Sequence, residues 1–214
     1  MVAKGMSMRE DLLMLAAATP VNDKGTLNRV AENAKEAAFA SSRANLGTAL
    51  HSLTEQLDRG EHPAIPMQLI KDIEAYQKAT TTHEFVAISA EKTVVIPKFK
   101  VAGTYDRILA KDSDLYIGDI KTGSTIEFSF LEIAVQLALY AHGVGVWNND
   151  EQKYEPMPNV HQDCGVVFHM PAGEGRCDLY LLDLNAGWEI AKLCYKVRNY
   201  RLRSRKLVLN KKEG

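Results

Sequence analysis

Two short stretches carry acids where strands would hold them. In Gly103-Thr104-Tyr105-Asp106 an acid follows strand-forming residues, and in Tyr116-Ile117-Gly118-Asp119-Ile120-Lys121 an acid and a lysine stand two apart. Side chains alternate along a strand, so Asp119 and Lys121 share one face and Ile120 points to the other. Between them the polar run Lys111-Asp112-Ser113-Asp114 reads as the turn of a β-hairpin spanning Val101 to Lys121. Antiparallel pairing then brings Asp106 beside Asp119. Two carboxylates that close repel unless a cation lies between them, and hard oxygen ligands suit Mg²⁺ or Mn²⁺. A second acid-x-Lys triplet, Glu151-Gln152-Lys153, sits in a polar segment without apolar strand neighbours and carries no such reading.

The elements that must position this hairpin fall into two groups. Residues 8–17 read as a short amphipathic helix that ends before Pro20, and a second helix starts near Thr26. A third helix carries Leu46, Leu50, Leu53 and Leu57 at spacings of 4, 3 and 4, with Gly60 as its stop. Residues 66–78 form a fourth, entered at a proline. Then the period changes, and the segments from His83 to Ile108 and from Asp114 to Lys121 are rich in β-branched and aromatic residues. Residues 128–143 are helical and apolar; GVGVW then leads into a polar loop. Residues 164–170 and 177–184 make a strand pair, and a last helix runs from about residue 186. Helices, three strands, helix, two strands and helix give an α/β (α+β) fold with a mixed sheet and an N-terminal helical layer.

With 214 residues, 46% hydrophobic and 25% charged, the chain has the makeup of one globular domain. The expected organisation is a single domain over 1–214, with a helical part over 1–80 that contributes His51. Residues 81–214 supply the sheet core and a basic C-terminal helix. A net charge of −1 does not mark the whole chain for nucleic acid, yet eight cations lie between Lys196 and Lys212 with no acid among them. Such a run is either a solvated helix face or a contact for phosphates. No apolar run reaches the roughly 18 residues of a membrane span, and the start MVAKGMSMREDLL lacks a signal peptide's apolar centre. Three widely spaced cysteines without a CxxC fit a reducing compartment, so a cytoplasmic location with no membrane association is expected.

His51 and Glu55 stand one turn apart on the same face of the third helix, and Gln136 and Tyr140 do so on the helix over 128–143. Taken in order, the motifs are Gly47-xxx-His51-xxx-Glu55, Gly103-xx-Asp106, Asp119-x-Lys121 thirteen residues after Asp106, and Gln136-xxx-Tyr140. This order resembles the PD-(D/E)XK nuclease superfamily. More narrowly it is similar to the RecB-like branch, with its CRISPR-associated and phage exonucleases. The similarity spans roughly residues 44–145.

The resemblance implies a restriction-endonuclease-like core. It implies His51, Asp106 and Asp119 as metal ligands, with the Ile120 carbonyl as a further one and Lys121 as the catalytic lysine. Gln136 and Tyr140 would line the site or touch the DNA strand; Glu55 matches the pattern without an assigned role. Arg201, Arg203 and Arg205 are candidates for phosphate contacts. Some relatives hold an Fe–S cluster on four cysteines; with three cysteines, none before position 164, this chain is expected to have none. No GxxxxGK[ST] helicase motif occurs, so any helicase or recombinase would be a separate partner. The expected activity is Mg²⁺- or Mn²⁺-dependent hydrolysis of DNA, more as an exonuclease than an endonuclease, in recombination, repair or phage DNA processing. An idle nucleic-acid-binding or assembly subunit is the competing reading, and a phosphohydrolase of small molecules ranks last.

Overall fold

Caps and tight turns set where the elements begin. The computed structural model describes residues 1–38, 40–148 and 152–204, with backbone alone for 40–44. The chain divides into two units, Met1–Ser52 and Leu53–Gly214.

The first unit contains α1 (Val2–Met8), α2 (Glu10–Ala18), α3 (Lys24–Ala37) and most of α4 (Ala40–Asp58). The Asp23 carboxylate accepts the Thr26 amide at 3.0 Å and caps α3, which starts it two residues ahead of the expected Thr26. Leu12, Val30 and Ala34 form a small core here, with Val2, Met6 and Ala16 against it. The expected helix over 8–17 is α2. The additional α1 was not legible, because VAKGMSM has a mid-helix glycine and no apolar stripe. Its helix is stabilised by packing: a Cβ on Gly5 would stand 1.6 Å from the Ala34 carbonyl oxygen, so only glycine lets α1 lie against α3.

The second unit takes in the end of α4 and then α5 (Ile70–Thr82), entered through a single 3₁₀ turn after Pro66. There follow β1 (Val86–Ile96), β2 (Val101–Lys111), β3 (Asp114–Lys121), α6 (Phe130–Ala141), β4 (Gly145–Asn148), β5 (Lys153–Pro156), β6 (Cys164–His169), β7 (Asp178–Asp183) and α7 (Leu184–Leu202). The strands form one seven-stranded sheet in the order β5-β4-β1-β2-β3-β6-β7. The β3–β6 pair is parallel and the neighbours on either side pair antiparallel, so the sheet is mixed as expected. A parallel pair requires a crossover, and the segment containing α6, β4 and β5 supplies it.

Five strands were expected and seven are present among the described residues. The two additions, β4 and β5, form a short hairpin at the sheet edge, with Gly145 opposite Pro156 and Asn148 opposite Lys153. Four residues are too few to show an alternating pattern, and the Lys-Tyr-Glu-Pro of β5 is polar with a proline, as an outermost strand tolerates. What orders this hairpin is β1, which pairs with β4 from Thr93 to Val95.

α6 and α7 cover one face of the sheet, where Leu137, Ala138, Leu184 and Ala191 join Val94, Ile108, Ile117 and Val167 in the core. A Cβ on Gly187 would lie 2.3 Å from the Ala134 carbonyl oxygen, so α7 approaches α6 through that glycine. On the opposite face Tyr76 of α5 meets Phe168 edge-on, with ring centroids 5.6 Å apart. α7 begins at residue 184, because the Asp183 carboxylate caps the amides of Asn185 and Ala186 at 2.9 and 3.2 Å.

Candidate active site

The β2–β3 hairpin closes on a tight turn, with Lys111 opposite Asp114 and Asp112 at φ 53°. Its register runs back to Arg107 opposite Gly118. One step further stand Asp106 and Asp119. There the backbone ladder gives way to a side chain: the Asp106 carboxylate accepts the Ile120 amide at 3.0 Å. Alternate amides of β3 face β2, so this is the donor a continued ladder would have used. Asp106 is thereby held beside Asp119 on the α6 face of the sheet.

Asp119 is 2% exposed. Lys121, half-buried, donates through Nζ to Asp119 Oδ1 at 3.0 Å. Nζ also lies 2.8 Å from Oδ2, yet that buried oxygen has no hydrogen-bond partner among the protein atoms. Burial pushes the Asp119 carboxyl up to about 6; the charge of Asp106 adds to the rise and Lys121 opposes it. The same Nζ reaches Gln136 Oε1 at 3.4 Å, and Gln136 Nε2 donates to the Tyr140 hydroxyl at 3.2 Å. Gln136 and Tyr140 reach the site together because residues one helical turn apart share a face. The Tyr140 ring lies over Gly103, where a Cβ would stand 2.8 Å from Cε1, which explains the glycine three residues before Asp106. Two motifs thus meet at the lysine, and the third packs against Tyr140 and bonds the Ile120 amide.

Residues 67–160, which include Asp106, Asp119, Lys121, Gln136 and Tyr140, match the family model of the PD-(D/E)XK nuclease superfamily. Over that span the chain is similar to the PD-(D/E)XK nuclease superfamily. No curated protein matches the chain.

The sheet core holds two features that the motifs did not reveal. The first is Arg107, wholly buried on the sheet face opposite Asp106. Its Nε donates to Asp58 Oδ2 at 2.5 Å, one terminal nitrogen to Thr54 Oγ1 at 3.0 Å, and the other to the Asp106 carbonyl at 2.9 Å. The Tyr76 hydroxyl also donates to Asp58. The end of α4, α5 and β2 are therefore tied through one guanidinium. The signal was present as an arginine in the apolar stretch Tyr105-Asp106-Arg107-Ile108-Leu109, whose buried charge demands partners.

The second is Glu91 of β1. Ala90 pairs with Arg107 and Lys92 with Tyr105, which places Glu91 across from Asp106. Its φ of 52° is unusual for a strand residue other than glycine. Burial, then the charges of Asp106 and Glu55, push its carboxyl above the usual range. Glu55 therefore lies in the same electrostatic field, and it pairs with Arg59 at 2.5 Å.

His51 is half-buried on α4, in the N-terminal unit. Among the described residues no three His, Cys, Asp or Glu side chains converge as a ready metal cage. The donors on the sheet still fit a hard divalent ion: two adjacent carboxylates, one with an unbonded buried oxygen. Arg201 and Arg203 are exposed at the end of α7, which stops at Leu202; Arg205 lies outside the described residues. Of the eight cations expected on one helix, α7 carries Lys196, Arg198 and Arg201, Arg203 follows its last residue, and Arg205, Lys206, Lys211 and Lys212 lie outside the described residues. The exposed surface of α7 also bears Leu193, Val197, Tyr200 and Leu202, so it is not purely cationic. Among the described residues no helix is long and apolar enough to cross a membrane.

Proposed function

We propose that this nuclease hydrolyses DNA phosphodiester bonds with the help of Mg²⁺ or Mn²⁺, acting as an exonuclease of the RecB-like kind. The observation that carries this reading is the lysine held between the buried Asp119 and Gln136, next to a second carboxylate. Asp106, Asp119, the Ile120 carbonyl and His51 would hold the ion, which when bound supplies a more acidic water and a polarised phosphoryl oxygen. His51 joins this set on its motif spacing, and its imidazole is why Mn²⁺ stands beside Mg²⁺.

The chain's own residues do the rest. Lys121 places a positive charge where the attacked phosphate gains negative charge, and the N–H not taken by Asp119 and Gln136 orients the attacking water. Gln136 and Tyr140 hold the ammonium in place and present a hydroxyl to the DNA strand. Asp106 takes the Ile120 amide and is held beside Asp119 by that bond. Arg201, Arg203 and Arg205 would neutralise backbone phosphates away from the chemistry. A separate helicase or recombinase and a role in recombination, repair or phage DNA processing are consistent with a core lacking a nucleotide-hydrolysis motif.

An idle binding subunit is the second reading, and the presence of both acids and the lysine speaks against it. The test is end-labelled DNA, single- and double-stranded, linear and circular, with Mg²⁺, Mn²⁺ or EDTA. Release of mononucleotides from linear DNA alone supports the exonuclease. Cutting of circles makes it an endonuclease. DNA binding without cleavage supports the idle subunit.

A further inference from the structure

Lys121 is the last residue of β3, and the backbone beyond it is held at three points. Three consecutive carbonyls, those of Lys121, Thr122 and Gly123, are each taken by a donor from the last residue of β6 or the three residues after it. The Met170 amide bonds the first at 2.8 Å and the Ala172 amide the second at 3.1 Å. The third donor is a side chain, His169 Nε2, at 2.8 Å from the Gly123 carbonyl. A carbonyl only accepts, so Nε2 carries the proton. The ring is 3% exposed and its Nδ1 is buried with no partner among the protein atoms. Leaving a polar atom unpaired in the interior is costly, which argues that the Nε2 bond is what the imidazole is there to make.

The donor segment is itself fixed from behind. Asp72 of α5 is wholly buried, and its carboxylate accepts the amides of Gly175 at 2.9 Å and Gly173 at 3.2 Å. Both glycines have positive φ, 63° and 83°, which turns two amides toward one carboxylate. A continuous path thus runs from Asp72 through the 171–175 turn to the backbone just beyond Lys121.

We propose that His169 is a positioning residue for the catalytic lysine, with Asp72 holding the turn that supports it. This rests on the nuclease reading of Lys121. The segment clamped by His169 also leads into α6, which carries Gln136 and Tyr140, so the clamp bears on the Gln136 side of the ammonium's contacts. Asp106 and Asp119 are oriented by other contacts and do not depend on it.

The experiment compares His169→Ala, His169→Asn and His169→Gln in the full chain. Glutamine places an N–H where Nε2 stands; asparagine ends at the Nδ1 position and falls short of Gly123. Two quantities are read: hydrogen exchange of residues 122–126 in metal-free protein, and the single-turnover cleavage rate at saturating Mn²⁺. Ala and Asn are expected to speed exchange in that segment by about tenfold or more while β2 and β3 stay protected. The same two variants are expected to lower the rate by about ten- to hundredfold, with calorimetric metal affinity unchanged. Gln restores both. Asp72→Asn, which keeps the volume and offers one acceptor instead of two, moves exchange in the same direction and serves if the alanine variant does not fold. Unchanged exchange in Ala, equal damage from Gln and Asn, or a parallel loss of metal affinity would overturn the proposal. A wild-type chain that cleaves no DNA with either metal removes the nuclease reading, while the exchange comparison still decides whether His169 clamps the segment.

Discussion

Asp106 accepts the Ile120 amide at 3.0 Å, so a carboxylate stands where a strand carbonyl would. The bond ties the geometry of the acid pair to the backbone that carries Lys121. It also separates two roles of Asp106, charge and hydrogen-bond acceptor, which different substitutions remove.

Asp106→Asn keeps an acceptor for the Ile120 amide and loses the charge. Cleavage is expected to fall below detection while the melting temperature changes little. Asp106→Ala also leaves the Ile120 donor unpaired, which costs about 1–3 kcal/mol of stability. Paired melting curves and cleavage assays check this. Full activity in Asn would remove Asp106 from the metal-holding set.

Lys121→Ala is expected to leave calorimetric Mn²⁺ binding largely in place and to remove most turnover. In the proposed site the lysine supplies charge to the substrate and is not itself a metal ligand. Retained turnover with lost metal binding would reverse the assignment.

Burial raises the Asp119 carboxyl from 3.8 to about 6 in the metal-free protein. The folded state then holds this proton more tightly than the unfolded chain. Its contribution is fully present below 3.8 and disappears as pH rises through about 6. In EDTA the chain is expected to lose on the order of 1–3 kcal/mol from this group across that window. Asp119→Asn abolishes that pH dependence. Thermal unfolding of both proteins between pH 4 and 7 decides the matter, and parallel curves would refute it.

Arg107 has no exposed surface, and Asp58 relies on it for its counter-charge. Arg107→Met leaves that carboxylate buried without its partner, a loss of about 3–5 kcal/mol. Denaturant unfolding measures it. A double change, Arg107→Met with Asp58→Leu, is expected to recover much of the loss, because it removes the stranded charge.

Arg201→Gln with Arg203→Gln is expected to weaken DNA binding at all sequences alike and to lower the salt slope by a little under one unit for each phosphate no longer neutralised. The single-turnover rate at saturating DNA stays the same. An unchanged slope would identify these arginines as solvated surface.

The hairpin, its turn and the identity of the acid pair were readable because a strand has a period of two and the Lys111-Asp112-Ser113-Asp114 turn sets the register. Gln136 and Tyr140 were readable as one helical face for the same kind of reason. These are local rules, and they reach only a few residues along the chain. Tertiary structure alone decided the rest. Arg107 finds Asp58 49 residues away, Asp72 finds Gly175 103 residues away, and His169 finds Gly123 across 46. Each is a polar group drawn into the interior, where the loss of water demands a partner. Periodicity shows which residues turn inward; it does not show which partner, brought close by the packing of distant elements, will satisfy them there.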